Sequence, residues 1–324
     1  MGRYHISKSG KVMPCNARGN CPLGTAVGGE DAREKLVRFT EEKMTQEGRM
    51  ESYIAMQSPY SIDEAAERGN FVDKTMSMYL DSEITTDKIH YDPKTDDYTA
   101  ERKVEHQNIL DSMYEKFSHI ENNGKVLFSA GLPGAGKTTV LKMLKDDYPD
   151  LDMDKYAFVS SDDFKEELAK RDMIPKVEGM SPMEASTLAH EESSYLADTF
   201  MERLSSENKN IIYDFTCKSY DSTADRIKTL STNGYSEKNM QFVFVDIPLE
   251  TAQKRALGRY QSGVNDTIKN NGNGIGGRYL PPYVLESNKS NTGKYSSKNA
   301  EALIAIHSTF KENGMPEPIV YDNS

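Results

Sequence analysis

Short apolar runs alternate with stretches of helical spacing through the second half of the chain. The first run, 125–130, is of strand type, and 139–145 then puts Val140, Leu141 and Leu144 on one helical face. Further strands are expected at 156–161, 210–215, 240–246 and 318–321, with helices at 182–206, 224–230, 249–259 and 300–311 between them. Strand–helix alternation of this kind predicts a parallel sheet with crossover helices, an α/β fold. The stretch 262–277, rich in Gly and Asn, reads as a long open loop of lid type. Upstream the spacing is helical only. Leu36, Val37, Phe39 and Met44 suggest one helix, a capping box at Ser61 to Glu64 starts a second, and Phe71, Val72, Met76, Met78 and Tyr79 suggest a third. A helix over 99–120 carries Val104, Ile109, Leu110, Met113 and Phe117 and stops before Gly124. The expected organisation is a flexible leader at 1–28, a helical N-terminal region at 29–120 and a nucleotide-binding α/β domain at 121–324.

The first strand runs into Gly131-Leu-Pro-Gly134-Ala-Gly136-Lys137-Thr138, which fits G-x-x-x-x-G-K-[ST] in full and lies between a strand and a helix, as that motif requires. Glycines let backbone N–H groups curl around phosphate oxygens, and the helix start adds partial positive charge. The expected fold is therefore a P-loop NTPase-type parallel sheet flanked by helices, with a helical N-terminal extension. Gly131, Gly134, Ala135, Gly136, Lys137, Thr138 and Thr139 are the expected nucleotide-binding residues. Lys137 would reach the β- and γ-phosphates of ATP, and the Thr138 hydroxyl would ligate Mg²⁺. A bare glycine-rich turn would leave Lys137-Thr138 in register by coincidence.

The second strand ends in Ser160-Ser161-Asp162-Asp163-Phe164-Lys165. Ligands of open parallel sheets sit beyond the carboxyl ends of the strands. Asp162 is thus expected to accept the proton of an attacking hydroxyl, with Asp163 capping the next helix. The third strand ends in Asp214-Phe215-Thr216, where Asp214 has the position of a Walker-B acid and Thr216 could touch substrate. Of the later basic residues, Arg255 and Arg259 share a helical face, and Arg259 and Arg278 bracket the expected lid. Those two are the candidates for stabilising charge on a transferring phosphoryl group.

Composition narrows the function classes. The 324-residue chain carries a formal net charge of -11, which disfavours broad nonspecific binding to nucleic acid. No apolar run approaches a membrane span, and the N-terminus lacks the apolar core of a signal peptide. Three cysteines make no disulfide framework, so a cytoplasmic location is expected. Cys15 and Cys21 with His5 are poorly spaced for zinc.

The ordered set GLPGAGKTT, SSDDFK, HEESSYLADTFMERL, NIIYDFT, VDIPLETAQKRALGRY and GGRYLPPYVL resembles the zeta-toxin family of P-loop kinases over 125–321. That resemblance implies ATP-dependent phosphorylation of a hydroxyl on a nucleotide sugar such as UDP-N-acetylglucosamine. It implies Asp162 as catalytic aspartate within D-x-F-[KR], with Lys165 on the substrate, Asp214 and Thr216 as the acid-x-Thr substrate motif, and Arg259 and Arg278 as lid arginines. It also implies inhibition by a small helical antitoxin. Lys218 stands where such toxins carry Arg, and the 259–278 interval is longer than usual. The same block is similar to polynucleotide 5'-hydroxyl kinases, and nucleic acid would be a partner only under that alternative; a third alternative is a non-catalytic ATP-binding protein. The segment from Tyr98 to His106 is similar to one preceding the kinase core in phage and actinobacterial relatives, but Arg102 and His106 read as helix-surface residues.

Overall fold

The computed structural model describes residues 59–80, 84–270, 272 and 274–323, together with the short strands Tyr4–Ile6, Val12–Pro14 and Ala26–Val27, which pair antiparallel. The helix expected around Leu36 to Met44, and the side chains of His5, Cys15 and Cys21, lie outside the described residues. The chain divides into two compact units. One holds Val104–Phe164, Ser193–Gly258 and Leu280–Ser324; the other holds Met1–Lys103, Lys165–Glu192 and Arg259–Tyr279.

The first unit contains a five-stranded sheet made of β1 (Val126–Gly131), β2 (Ala157–Ser160), β3 (Ile211–Asp214), β4 (Met240–Asp246) and β5 (Ile319–Asp322). The order is β5-β4-β1-β3-β2, and every pairing is parallel. Every residue of β1 is buried, which explains its unbroken apolar run. Phe128 stacks on Phe242 of β4 at 4.7 Å between centroids. Helix α3 (Lys137–Asp147) buries Val140, Leu141 and Leu144 in a core shared with Leu127, Ile212, Val243 and Val245. Helix α6 (Tyr220–Thr232) is capped by the Ser219 hydroxyl, and α8 (Lys298–Phe310) by that of Ser297. The chain order reverses at β1, so the crevice for a ligand opens at its carboxyl end.

In the second unit, α1 (Ile62–Leu80) is one continuous helix where the spacing had suggested two. Ser61 and Glu64 do form the reciprocal capping box: the Ser61 N–H donates to Glu64 at 2.7 Å, and the Glu64 N–H to the Ser61 hydroxyl at 3.2 Å. Gly69 sits mid-helix because the Tyr279 ring occupies the place of a Cβ. Phe71 and Met78, read as packing residues, are exposed, whereas Val72 and Met76 are buried. Glu184 is the buried centre of this unit. It accepts two bonds from the Arg68 guanidinium at 2.6 and 2.7 Å, one from the Ser181 N–H at 2.8 Å and one from the Tyr260 hydroxyl at 2.6 Å. The pairing neutralises a carboxylate that would otherwise be costly to bury.

Four helices pass from one unit into the other: α2 (Ala100–Lys116), α4 (Ser161–Lys170), α5 (His190–Ser206) and α7 (Leu249–Lys269). Residues 182–189, expected to begin α5, instead form turns and a short 3-10 segment. Helix α7 continues to Lys269, so half of the expected open loop is helical. Tyr260, Val264 and Thr267 are buried at helical spacing. The returning chain is pressed on the helix so closely that a Cβ on Gly277 would lie 2.3 Å from the Tyr260 carbonyl oxygen.

Candidate active site

The phosphate loop follows β1 without slack. Gly131 pairs with Val245 at φ 139°, and a Cβ there would stand 2.4 Å from the Val245 carbonyl oxygen. Gly134 has φ 82°, and its Cβ would stand 2.8 Å from the Ala252 carbonyl oxygen on α7. Ala135 is buried in the core, its N–H donating to the Leu132 carbonyl at 3.0 Å. Gly136 precedes α3 in the left-handed conformation, and no side chain caps that helix. The first-turn N–H groups of a helix have no intrahelical acceptor, so the N–H groups around Lys137, Thr138 and Thr139 are donors for an anion.

Strand register brings the polar groups together. Ser129 on β1 pairs with Asp214 on β3, and Asp214 pairs with Ser160 on β2. The Ser129 hydroxyl donates to Asp214 Oδ1 at 2.7 Å. Lys137 Nζ donates to the Gly131 carbonyl at 3.3 Å and lies 3.9 Å from the same Asp214 oxygen. Lys137 and Asp214 are largely shielded from solvent, with side-chain exposures of 12% and 18%. Ser129, only 1% exposed, is a site residue that sequence reasoning missed. Its one signal was a lone hydroxyl inside an otherwise apolar run.

Asp162 lies in the first turn of α4, its N–H donating to the Ser160 hydroxyl at 3.2 Å. A Ser160 cap was not anticipated; the acidic pair adds favourable charge at the helix start. Thr216 offers its carbonyl to the Asn299 amide, which ties the loop after β3 to α8. Next to it, Cys217 takes the left-handed conformation at φ 58° and is fully buried. Burial pushes its thiol up to about 12, against activation as a nucleophile.

The remaining predicted residues belong to the second unit. Lys165, one turn beyond Asp162 on α4, is buried with its ammonium 3.2 Å from His190 Nδ1. With the lysine as donor, Nδ1 accepts and the ring proton sits on Nε2. Arg259 is within α7, and Arg278 follows the close contact of Gly277 with that helix. Arg102, read as a surface residue, is instead 7% exposed: it donates to Glu192 at 2.5 and 2.8 Å and to the Met173 carbonyl at 2.8 Å. His106 is likewise buried, its ring 5.6 Å from that of Tyr195.

A parallel sheet ordered around a central strand, a glycine loop ending in Lys-Thr at a helix start, and an acid on the neighbouring strand define a P-loop phosphotransferase of the kinase type. The zeta toxin family profile matches residues 111–314, and the chain belongs to that family. No curated protein sequence matches it. Among solved structures, the complex of AvrRxo1-ORF1 and AvrRxo1-ORF2 with sulphate ions gives a TM-score of 0.52 at 19% identity, over 74% of this chain and 73% of that one. The PezAT chromosomal toxin–antitoxin system of Streptococcus pneumoniae gives 0.45 at 13% identity, over 70% and 78%. At 19% identity the likeness to the AvrRxo1-ORF1 complex is one of fold.

Proposed function

We propose that the chain transfers the γ-phosphate of ATP to a hydroxyl of a nucleotide sugar of the UDP-N-acetylglucosamine kind. The observation that carries the phosphotransfer half of this reading is Lys137, held between the Gly131 carbonyl and Asp214 beside an uncapped helix start. ATP would take the place of those internal partners, its phosphates accepting from the loop N–H groups and from Lys137. Gly134 has no room for a side chain because the Ala252 carbonyl of α7 lies against it, and this contact fixes the loop that would carry those N–H groups. Thr138 and Asp214 offer the hard oxygen donors that suit Mg²⁺. When bound there, the ion would supply neutralisation of the negative charge on the phosphates. Ser129 orients the Asp214 carboxylate for that duty.

Asp162 orients the acceptor hydroxyl and takes its proton as its oxygen bonds to the γ-phosphorus and the bond from that phosphorus to the β,γ-bridging oxygen breaks, with ADP leaving. Lys165 and Thr216 contact the acceptor, and Arg259 and Arg278 offset charge on the transferring group. These four assignments rest on the sequence and on the family. Family membership also supports the nucleotide sugar as acceptor and a small helical antitoxin as inhibitory partner. An ADP-release assay over a panel of hydroxyl acceptors tests the reading. The expected result is turnover with nucleotide sugars that disappears in Lys137→Ala; turnover that survives Lys137→Ala would refute it.

A further inference from the structure

The Ala135 carbonyl is held from outside the phosphate loop. The Asn323 side-chain amide donates to it at 2.8 Å, and the Arg255 guanidinium at 3.4 Å. Arg255 also donates to the Asn323 carbonyl at 3.0 Å, so the two residues brace each other. Asn323 is fixed in turn by its own N–H, which donates to the Asp246 carbonyl at 3.0 Å and prolongs the β5–β4 ladder. Two residues earlier, the Tyr321 hydroxyl donates to Asp147 at 2.8 Å. The chain around β5 therefore grips both the loop before α3 and the carboxyl end of that helix.

A trans peptide unit points its C=O and the following N–H to opposite sides. Fixing the Ala135 carbonyl on Arg255 and Asn323 therefore aims the Gly136 N–H away from them. The Asn323 side is itself closed, because a Cβ on Gly136 would lie 2.7 Å from the Asn323 amide nitrogen. We propose that Arg255 and Asn323 are positioning residues for the phosphate loop: by holding the Ala135 carbonyl they pre-aim the Gly136 N–H at a phosphate oxygen of ATP. This inference rests on the kinase reading above. Neither residue touches the reacting atoms, and the gain is preorganisation, since the loop need not turn its peptide on binding.

The test compares Asn323→Ala, Asn323→Asp, Arg255→Met and Arg255→Lys in the full chain, by calorimetric titration with ATP and with adenosine, alongside thermal midpoints. Loss of one aligning hydrogen bond predicts roughly tenfold weaker ATP binding in Asn323→Ala. Asn323→Asp keeps the shape but loses the donor and adds a negative charge, so it should bind ATP more weakly still. Arg255→Lys should recover part of the loss in Arg255→Met. Adenosine affinity should be the same in all, because the aimed N–H serves phosphate only. ATP affinities within about twofold of the unmodified protein in both Asn323 variants would overturn the inference while leaving the kinase reading intact. Equal weakening of adenosine would overturn it as well, by pointing to a general loss of structure. Failure of the unmodified protein to bind ATP would overturn the kinase reading and this inference together.

Discussion

Replacing Gly134 by alanine separates two demands on the phosphate loop, and Gly234 provides the internal control. Both glycines belong to the sheet-bearing unit and both have positive φ, 82° and 94°. At Gly234 nothing lies within 4 Å of an added Cβ, so Gly234→Ala carries backbone strain alone. That strain is about 1–2 kcal/mol. At Gly134 the Cβ would meet the Ala252 carbonyl at 2.8 Å, a helix backbone group that cannot swing aside as a flexible side chain would. Overpacking of this kind adds about 1–3 kcal/mol. Gly134→Ala should therefore destabilise the unit by about 2–5 kcal/mol, clearly more than the control. The assay is urea denaturation of both variants, followed by ATP titration below the transition. Gly234→Ala should keep full ATP affinity, and Gly134→Ala should lose it, because relieving the clash displaces the loop. Equal denaturation midpoints with ATP affinity retained in both would refute the argument that contact with α7 fixes the loop.

Other outcomes follow from single contacts. Asp162→Asn should lower turnover about 10²–10⁴-fold with ATP affinity nearly unchanged, read by single-turnover kinetics against equilibrium binding. Ser129→Ala removes the donor to Asp214 and should raise the Mg²⁺ concentration needed for half-maximal rate, a shift seen in a metal titration at saturating ATP. Glu301 is held at about 2, below its ordinary 4.5, by the hydroxyls of Ser290 and Thr292. Its depressed value stabilises the fold above pH 4.5, and that contribution is lost as the pH falls towards 2; Glu301→Gln should flatten the acid side of the stability profile. Cys217, buried with its thiol raised to about 12, should resist iodoacetamide in the folded protein and react once urea unfolds it, as peptide mass spectrometry would record.

The features that the sequence made legible are those whose cause is local. Each strand of the sheet is an apolar run between turn signals, and the phosphate loop is a contiguous motif with a fixed reason for every residue. What escaped has a distant cause. The stretch read as two helices is one, and Gly69 within it serves the Tyr279 ring, which only the fold brings near. Arg102 and Glu192 are separated by 90 positions, so nothing local marks Arg102 as buried. The stretch 262–277 read as loop because of its Gly and Asn content, although Val264 and Thr267 continue the helical period of Tyr260 into it. Gly263 is accepted there for close approach, with its Cβ position 2.7 Å from the Gly277 Cα. The Arg255–Asn323 brace joins residues 68 positions apart and could not have been found by any spacing rule.

Nucleotide-sugar phosphorylation is decided by transfer from γ-labelled ATP with Mg²⁺, offering UDP-N-acetylglucosamine and a 5'-hydroxyl oligonucleotide in parallel, with Asp162→Asn beside the unmodified protein. The expected result is label on the nucleotide sugar, absent from the oligonucleotide and nearly lost in Asp162→Asn. Label on the oligonucleotide alone, on neither acceptor, or at full rate in Asp162→Asn would contradict it.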